Sequence, residues 1–185
     1  LKNKPSNPDK ITFDSIVVNK IEADKINVLL ISEKLVSHAQ YGELQPVLAL
    51  EINTTSDKLP VDTLDISAGN VENTIAAGYF DIETMSYGGS CYYYVDPAAL
   101  KAGVLDPYFA WRLNKGKLAI DAQGNILTAG NFYNGEHFTM RYTAPTNTDL
   151  DNVFAPQQQS TKYIKNGKLI IRNNGAEYDV VGKKL

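Results

Sequence analysis

The sequence predicts an all-β fold, mostly antiparallel, arranged as a β-sandwich or flattened barrel with little helix. Short runs of alternating or β-branched residues cover much of the chain, and turn-forming residues separate them. Residues 108–143 show both features, because turn residues at 114–117, 123–125 and 133–135 divide this stretch into pieces of strand length. Architectures of this kind lead us to expect roughly eight to eleven strands.

Composition narrows the function classes. The 185 residues favour one all-β domain over two very small ones, and a chain of this length needs no metal or disulfide to hold its core. A net charge of −3 with scattered basic residues argues against a nucleic-acid partner. The single cysteine, Cys91, excludes an internal disulfide, and the longest apolar run, residues 26–31, is far too short to span a membrane.

The first third of the chain is predicted to form strands, because β-branched residues dominate the apolar clusters of residues 11–33. Residues 23–40 leave a helix open as an alternative, since several apolar residues there lie near helical spacing: Ile26, Leu29, Leu30 and Leu35.

A strand over residues 47–52 follows, with alternate side chains directed to the core: Leu48, Leu50 and Ile52. Pro46 is expected at the first position of this strand or on a sheet edge, because proline cannot donate to a ladder. Residues 53–77 are rich in turn formers, so we expect them to be mainly turns and loops.

The middle of the chain predicts strands at 78–82 and 91–95, separated by a loop at 86–90. Asp96 is a good N-cap and a proline follows it, which predicts a helix of about one turn ending at Gly103.

The domain organisation expected from these patterns has four parts. Residues 1–10 are a polar tether, residues 11–145 form the main β domain, and residues 146–162 are a surface linker. Residues 163–185 are predicted to form a β-hairpin packed on the main domain, because an Asn-Gly pair at 174–175 separates two alternating runs.

Several of these segments resemble β-rich domains of uncharacterised exported lipoproteins from Gram-negative gut anaerobes. The matching stretches are 59–67, 77–80, 90–96, 116–120, 132–145 and the tail at 163–182. The resemblance implies an exported domain in the periplasm or at the cell surface, attached to a membrane only through a lipid anchor. It implies no reaction and no cofactor. The lipid-bearing cysteine of such proteins is absent from this sequence, and residues 1–33 match nothing in them. We interpret the polar start as that of a mature protein whose export signal was removed.

No motif for catalysis or metal binding stands out. His38 and His137 lie far apart in the sequence and outside any metal-type spacing. Cys91 lies in an alternating strand and is expected to be a small buried residue. Ser90 lacks the Gly-x-Ser-x-Gly setting of a nucleophile. We therefore predict no catalytic residue and no resident metal.

Two weaker alternatives come from acidic residues. Residues 147–152 place oxygen ligands at alternating positions, as calcium prefers, but lack the glycine and bidentate glutamate of a calcium loop. A glycoside hydrolase would need two carboxylates at a defined separation. The sequence offers the following carboxylates on or beside strands: Glu51, Asp81, Glu83 and Asp96.

Tyrosine is the enriched residue type, with 11 in the chain, and its flat apolar ring with a polar rim suits contacts to sugars or proteins. The predicted ligand-binding residues are Tyr87, Tyr93, Trp111 and Tyr133, with the loops 84–90 and 131–136 as carriers. The expected function is a non-catalytic cell-envelope module that binds glycan or an envelope protein. The alternatives are a structural spacer or assembly subunit without a ligand and, less favoured, the two-carboxylate hydrolase.

Overall fold

The protein is described by a computed structural model, which covers residues 10–145 in full and the backbone of residues 161–165, 168–173 and 176–178. The chain divides into two compact units, Leu1–Pro145 and Thr146–Leu185. No helix among the described residues is long and apolar enough to cross a membrane.

The elements follow one another in this order: β1 (Ile11–Phe13), β2 (Ser15–Glu22), β3 (Lys25–Ile31), β4 (Val36–His38), β5 (Gly42–Asn53), β6 (Thr63–Ser67), β7 (Thr74–Ala76), β8 (Tyr79–Asp81), β9 (Ser86–Gly88), β10 (Cys91–Val95), α1 (Pro97–Lys101), β11 (Pro107–Ile120), β12 (Ile126–Phe132), β13 (His137–Tyr142), β14 (Thr161–Lys165), β15 (Lys168–Asn173) and β16 (Ala176–Tyr178). The all-β prediction is confirmed.

The first unit is built on one 11-stranded, barrel-like sheet. Its main path runs β1-β13-β12-β11-β6-β7-β5-β3-β2, with β10 bridging β5 and β11 and β4 paired to β5. The two ends of this path, β1 and β2, are separated in the chain only by Asp14. The Asp14 amide donates to the Ile31 carbonyl at 2.9 Å, and its carboxylate accepts from the Glu33 amide at 2.7 Å. This corner lets one continuous segment join both ends of the sheet.

The core lies on the inner face of this sheet. Leu48, Leu50 and Ile52 are buried there, as predicted. The opposite face of β5 is also buried, because Val47 and Ala49 pack in a second cluster that includes Leu100 of α1. The helix itself is confirmed, with the Asp96 carboxylate accepting from the Ala98 amide at 2.7 Å.

The helical alternative for residues 23–40 is wrong. These residues contain β3 and β4, and β3 lies between β2 and β5 in antiparallel ladders. Every second residue of β3 is buried, which matches the period of a strand. The ladders on both sides satisfy the backbone groups that a helix would have satisfied internally.

Pro46 is neither at the start of its strand nor on an edge; it lies inside β5. Its carbonyl accepts from the Ser32 amide and therefore points away from β10, which pairs along the other side of β5. On the side that the Pro46 carbonyl faces, the partner of β5 changes from β3 to β4. Strand β3 ends opposite Val47, and β4 begins opposite Leu44. Proline is tolerated there because no ladder bond is lost.

The turn predicted at 114–117 is also wrong. Turns are present at 122–123, one residue before the predicted 123–125, and at 133–135. Strand β11 continues through 114–117 with an irregularity between Leu113 and Lys115. A Cβ atom on Gly116 would lie 2.3 Å from the Ala129 carbonyl oxygen, so glycine allows the two strands to approach closely here.

Residues 53–77, predicted as turns and loops, also hold two strands, since β6 and β7 pair in parallel. The predicted loop at 86–90 contains β9, which pairs with β8 in a separate two-stranded sheet. This hairpin is inserted between β7 and β10.

The second unit contains a three-stranded antiparallel sheet in the order β14-β15-β16. Asn173 pairs with Ala176, so the chain reverses where the Asn-Gly pair predicts a hairpin. The packing of this hairpin on the main domain stays a prediction. The linker predicted at 146–162 lies outside the described residues except for Thr161 and Lys162, which belong to β14.

Gly89, where the chain returns from the hairpin, is expected to be intolerant of a side chain. It has a φ of +66°, and a Cβ atom would lie 2.2 Å from the Ala77 carbonyl oxygen. Gly89→Ala should therefore lower the free energy of unfolding by at least 2 kcal/mol, which is about the cost of positive φ in alanine plus a backbone clash. Urea denaturation followed by Trp111 fluorescence measures it.

Gly103→Ala is the matched control, because Gly103 has a φ of +79° with open space around its Cβ position. Gly103→Ala should lose only the part of the free energy of unfolding that the positive φ costs an alanine. Equal losses for the two variants would contradict the steric role of Gly89.

Candidate functional site

The β8–β9 hairpin exposes an unusual concentration of large apolar side chains. Ile82 is 78% exposed and Met85 is 70% exposed. We call the following exposed residues the hairpin surface: Tyr79, Phe80, Ile82, Met85 and Tyr87. Soluble proteins rarely present so many large apolar groups together without an interaction to use them.

The turn of the hairpin is held by the side chain of Asp81. The Asp81 carboxylate accepts from the Glu83 amide at 2.8 Å and the Thr84 amide at 3.3 Å. These bonds lower the pKa of Asp81 below its ordinary value. Met85 has a φ of +54°, a conformation that side chains other than glycine rarely adopt. The tip therefore presents Ile82 and Met85 in a defined turn.

Aromatic rings connect the hairpin to the main sheet. Phe80 and Tyr87 lie 4.9 Å apart between ring centroids, and Tyr87 meets the ring of Tyr93 edge-on at 6.1 Å. Tyr93 is buried in β10, and burial raises the pKa of its hydroxyl. The structure thus brings two of the four predicted binding residues together, with Tyr93 supporting the exposed Tyr87 from below.

The other two predicted residues, Trp111 and Tyr133, have different positions. Trp111 is buried in the core, where its ring lies 5.6 Å from Tyr92 and 5.5 Å from Tyr94. Tyr133 is exposed, and the guanidinium carbon of Arg112 lies 4.7 Å from the centre of its ring. A ligand in solution can reach Tyr87 and Tyr133, whereas Tyr93 and Trp111 are covered.

Arg112 links the two predicted loops. Its Cα atom lies 2.9 Å from where a Cβ atom of Gly78 would be, at the base of the hairpin. Its carbonyl accepts from the Tyr133 amide, at the start of the 133–135 turn. Sequence reasoning missed Arg112 and four hairpin residues: Tyr79, Phe80, Ile82 and Met85. The available signal was the glycines at 78, 88 and 89, which bracket a short apolar segment.

The candidate nucleophiles have structural roles. Cys91 is buried, and burial raises the pKa of its thiol to about 11. The Ser90 hydroxyl is also buried and accepts from the Glu51 amide at 3.0 Å.

The carboxylates considered for hydrolysis are engaged locally. Glu51 pairs with Lys25 at 3.1 Å, and this hydrogen bond raises the pKa of Lys25. Asp96 caps α1, Asp81 closes the hairpin turn, and Glu83 is exposed beside it. The calcium alternative at 147–152 lies outside the described residues.

The two histidines are held in different surroundings. The Nδ1 atom of buried His38 accepts from the Gln40 and Tyr41 amides at 3.2 and 3.3 Å. His137 is exposed on β13, with its Nδ1 atom 3.1 Å from the Asn131 side chain. Within the described residues, no group of three or more His, Cys, Asp or Glu side chains could hold a metal ion.

An open groove of about 490 Å³ lies elsewhere, at the ends of β6, β11, β12 and β13. Its floor includes Ala119, and Asp121 and Arg141 line it. The Asp121 carboxylate already accepts from the Asn125 amide group at 2.8 Å, so this acidic group is used within the protein.

Cys91 should resist alkylation in the folded protein. Its pKa near 11, against an ordinary value of 9.0, reduces the thiolate fraction at pH 8 by about a hundredfold, and burial blocks the reagent as well. Because the folded state holds this proton more tightly, the contribution of Cys91 to stability is present below pH 9 and is lost as the pH rises towards 11.

Iodoacetamide labelling, measured by mass spectrometry, tests this expectation. It is carried out on the folded protein and on the protein denatured in about 8 M urea. Comparable labelling rates in both conditions would show that the thiol is accessible and reactive.

Comparison with known proteins gave no further assignment: no protein-family model, no curated protein and no solved structure matched this chain.

Proposed function

We propose that this chain is a non-catalytic binding module of the bacterial cell envelope that binds a protein through the hairpin surface. The observation that carries the proposal is the exposure of Ile82 and Met85 at the tip of a hairpin inserted between two strands of the main sheet. The envelope location rests on the resemblance to exported lipoprotein domains.

A protein partner fits this surface better than a glycan. Sugar rings stack on aromatic faces, whereas the tip of the hairpin is aliphatic and thioether in character. Methionine and aromatic residues are enriched in protein interfaces, and methionine adapts its shape to irregular apolar pockets. Tyr79, Phe80 and Tyr87 flank the tip and enlarge the apolar area available for burial.

The charges of the hairpin define the partner further. Residues 79–88 contain Asp81 and Glu83 but no basic residue. A partner with an apolar pocket and a basic rim would be complementary to this arrangement. The same carboxylates disfavour insertion into an anionic lipid surface.

The assembly-subunit alternative has one observation in its favour. Strand β2 lies at the end of the main sheet path and pairs with β3 alone among the described residues. Val17 and Ile21 are exposed on this strand. Edge strands of this kind can pair with another chain.

Replacing the tip should abolish protein binding without unfolding the domain. The double variant Ile82→Ser and Met85→Ser should retain wild-type stability within about 0.5 kcal/mol, because both side chains are exposed. Immobilised wild-type protein should retain an envelope protein that the variant fails to retain. A photo-crosslinking residue at position 82 should join the same protein to the hairpin.

The matched control is Val61→Ser with Val71→Ser, which removes two exposed apolar side chains outside the hairpin. It should bind as the wild type does. If all three proteins retain the same partners, or if none retains any, the hairpin surface is not the binding site.

A further inference from the structure

We propose that a second site, distinct from the hairpin surface, binds a β-linked pyranose chain by stacking on Tyr108. The site is a column of three rings formed by His38, Tyr41 and Tyr108. The centroids of His38 and Tyr41 lie 5.0 Å apart with an interplanar angle of 21°. Those of Tyr41 and Tyr108 lie 4.6 Å apart with an angle of 22°.

The column is built into the fold from its buried end. His38 is almost completely buried at the end of β4, and its Nδ1 atom accepts the amides of Gln40 and Tyr41. Phe109 packs on both inner rings, at 5.2 Å from His38 and edge-on at 5.7 Å from Tyr41. Tyr41 is thus fixed between His38 and Tyr108 by contacts on several sides.

The outer end of the column is available. Tyr108 is 46% exposed, and Tyr41 covers one face of its ring. The geometry of the stack favours a flat ligand that continues it on the opposite face. A preorganised ring loses little conformational entropy when a ligand binds, which is the property that a stacking platform requires.

The surroundings favour a sugar over a purely apolar ring. Gln40 and Asp106 are exposed and adjoin Tyr41 and Pro107, the residue before Tyr108. A pyranose whose hydroxyl groups are all equatorial has an apolar C–H face for the aromatic ring and hydroxyl groups at its rim. Exposed polar residues that neighbour the two tyrosines in the chain, Gln40 and Asp106, suit that distribution.

Cellohexaose, a β-1,4-linked glucose hexasaccharide, is the probe, and saturation-transfer NMR at millimolar sugar is the measurement. We expect transfer from the protein to the axial C–H protons of the sugar. Tyr108→Ala should weaken binding by about three- to tenfold, the range expected for loss of one aromatic contact. Tyr108→Phe should retain most of the signal, because the ring face is kept.

Leu127→Ala is the matched control, since Leu127 is a large side chain outside both proposed sites with a similar exposed fraction of 42%. It should bind cellohexaose as the wild type does. Tyr108→Leu provides a second ring-free variant if the alanine variant does not fold, as judged by urea denaturation.

Three outcomes would overturn the proposal. These are the absence of saturation transfer from the wild type, equal binding by Tyr108→Ala and the wild type, and loss of binding in Leu127→Ala. Sedimentation velocity at the same protein concentration adds a fourth: a dimer that Tyr108→Ala dissociates would assign this ring face to a second copy. The hairpin variants should leave sugar binding unchanged, so the two proposals can fail separately.

Discussion

The fold depends on the way one residue of β11 bonds both limbs of the inserted hairpin. The Leu113 carbonyl accepts from the Gly78 amide at 2.8 Å, and its amide donates to the Ser90 carbonyl at 3.0 Å. The Ser90 amide in turn donates to the Ala76 carbonyl. Because these backbone groups are satisfied, the chain can leave the sheet after β7 and re-enter it at β10 without burying unpaired donors and acceptors. Glycine at positions 78 and 89 is required, since side chains there would overlap backbone atoms.

This junction explains why the three consecutive tyrosines of β10 are all buried, although they point to opposite faces of the sheet. Strand β10 lies between β5 and β11, so its side chains point alternately to the two faces of the sheet. Tyr92 and Tyr94 enter the main core with Trp111, while Tyr93 enters the second cluster with Cys91. Leu100 of α1 packs against this second cluster, and Tyr87 of the hairpin meets the ring of Tyr93.

Sequence patterns predicted the structure correctly where neighbouring residues in the chain determine it. The alternation of Leu48, Leu50 and Ile52 identified a core face, and Asp96 followed by proline identified a short helix. The same patterns failed where pairing with a distant strand determines the structure. Pro46 and Gly116 read as strand boundaries in the sequence, yet both lie inside strands because the neighbouring strands accommodate them. The candidate residues divided in the same way. Residue type identified Tyr93 and Trp111 as candidate binding residues, but both are buried, because the burial of each sheet face depends on residues distant in the chain.

The two proposed sites differ in what holds them, and this difference bears on how each would act. Tyr108 and Arg112 lie on one strand, about 13 Å apart at ~3.3 Å per residue, so both sites use β11 as support. The ring column is fixed through His38 and Phe109, which leaves a rigid face suited to a rigid ring. The hairpin tip has Met85, an unbranched side chain with several rotatable bonds, which suits a partner surface whose shape is not matched in advance. A module with these two sites could hold a glycan at Tyr108 while a protein binds to the hairpin surface, because the two sites share no side chain.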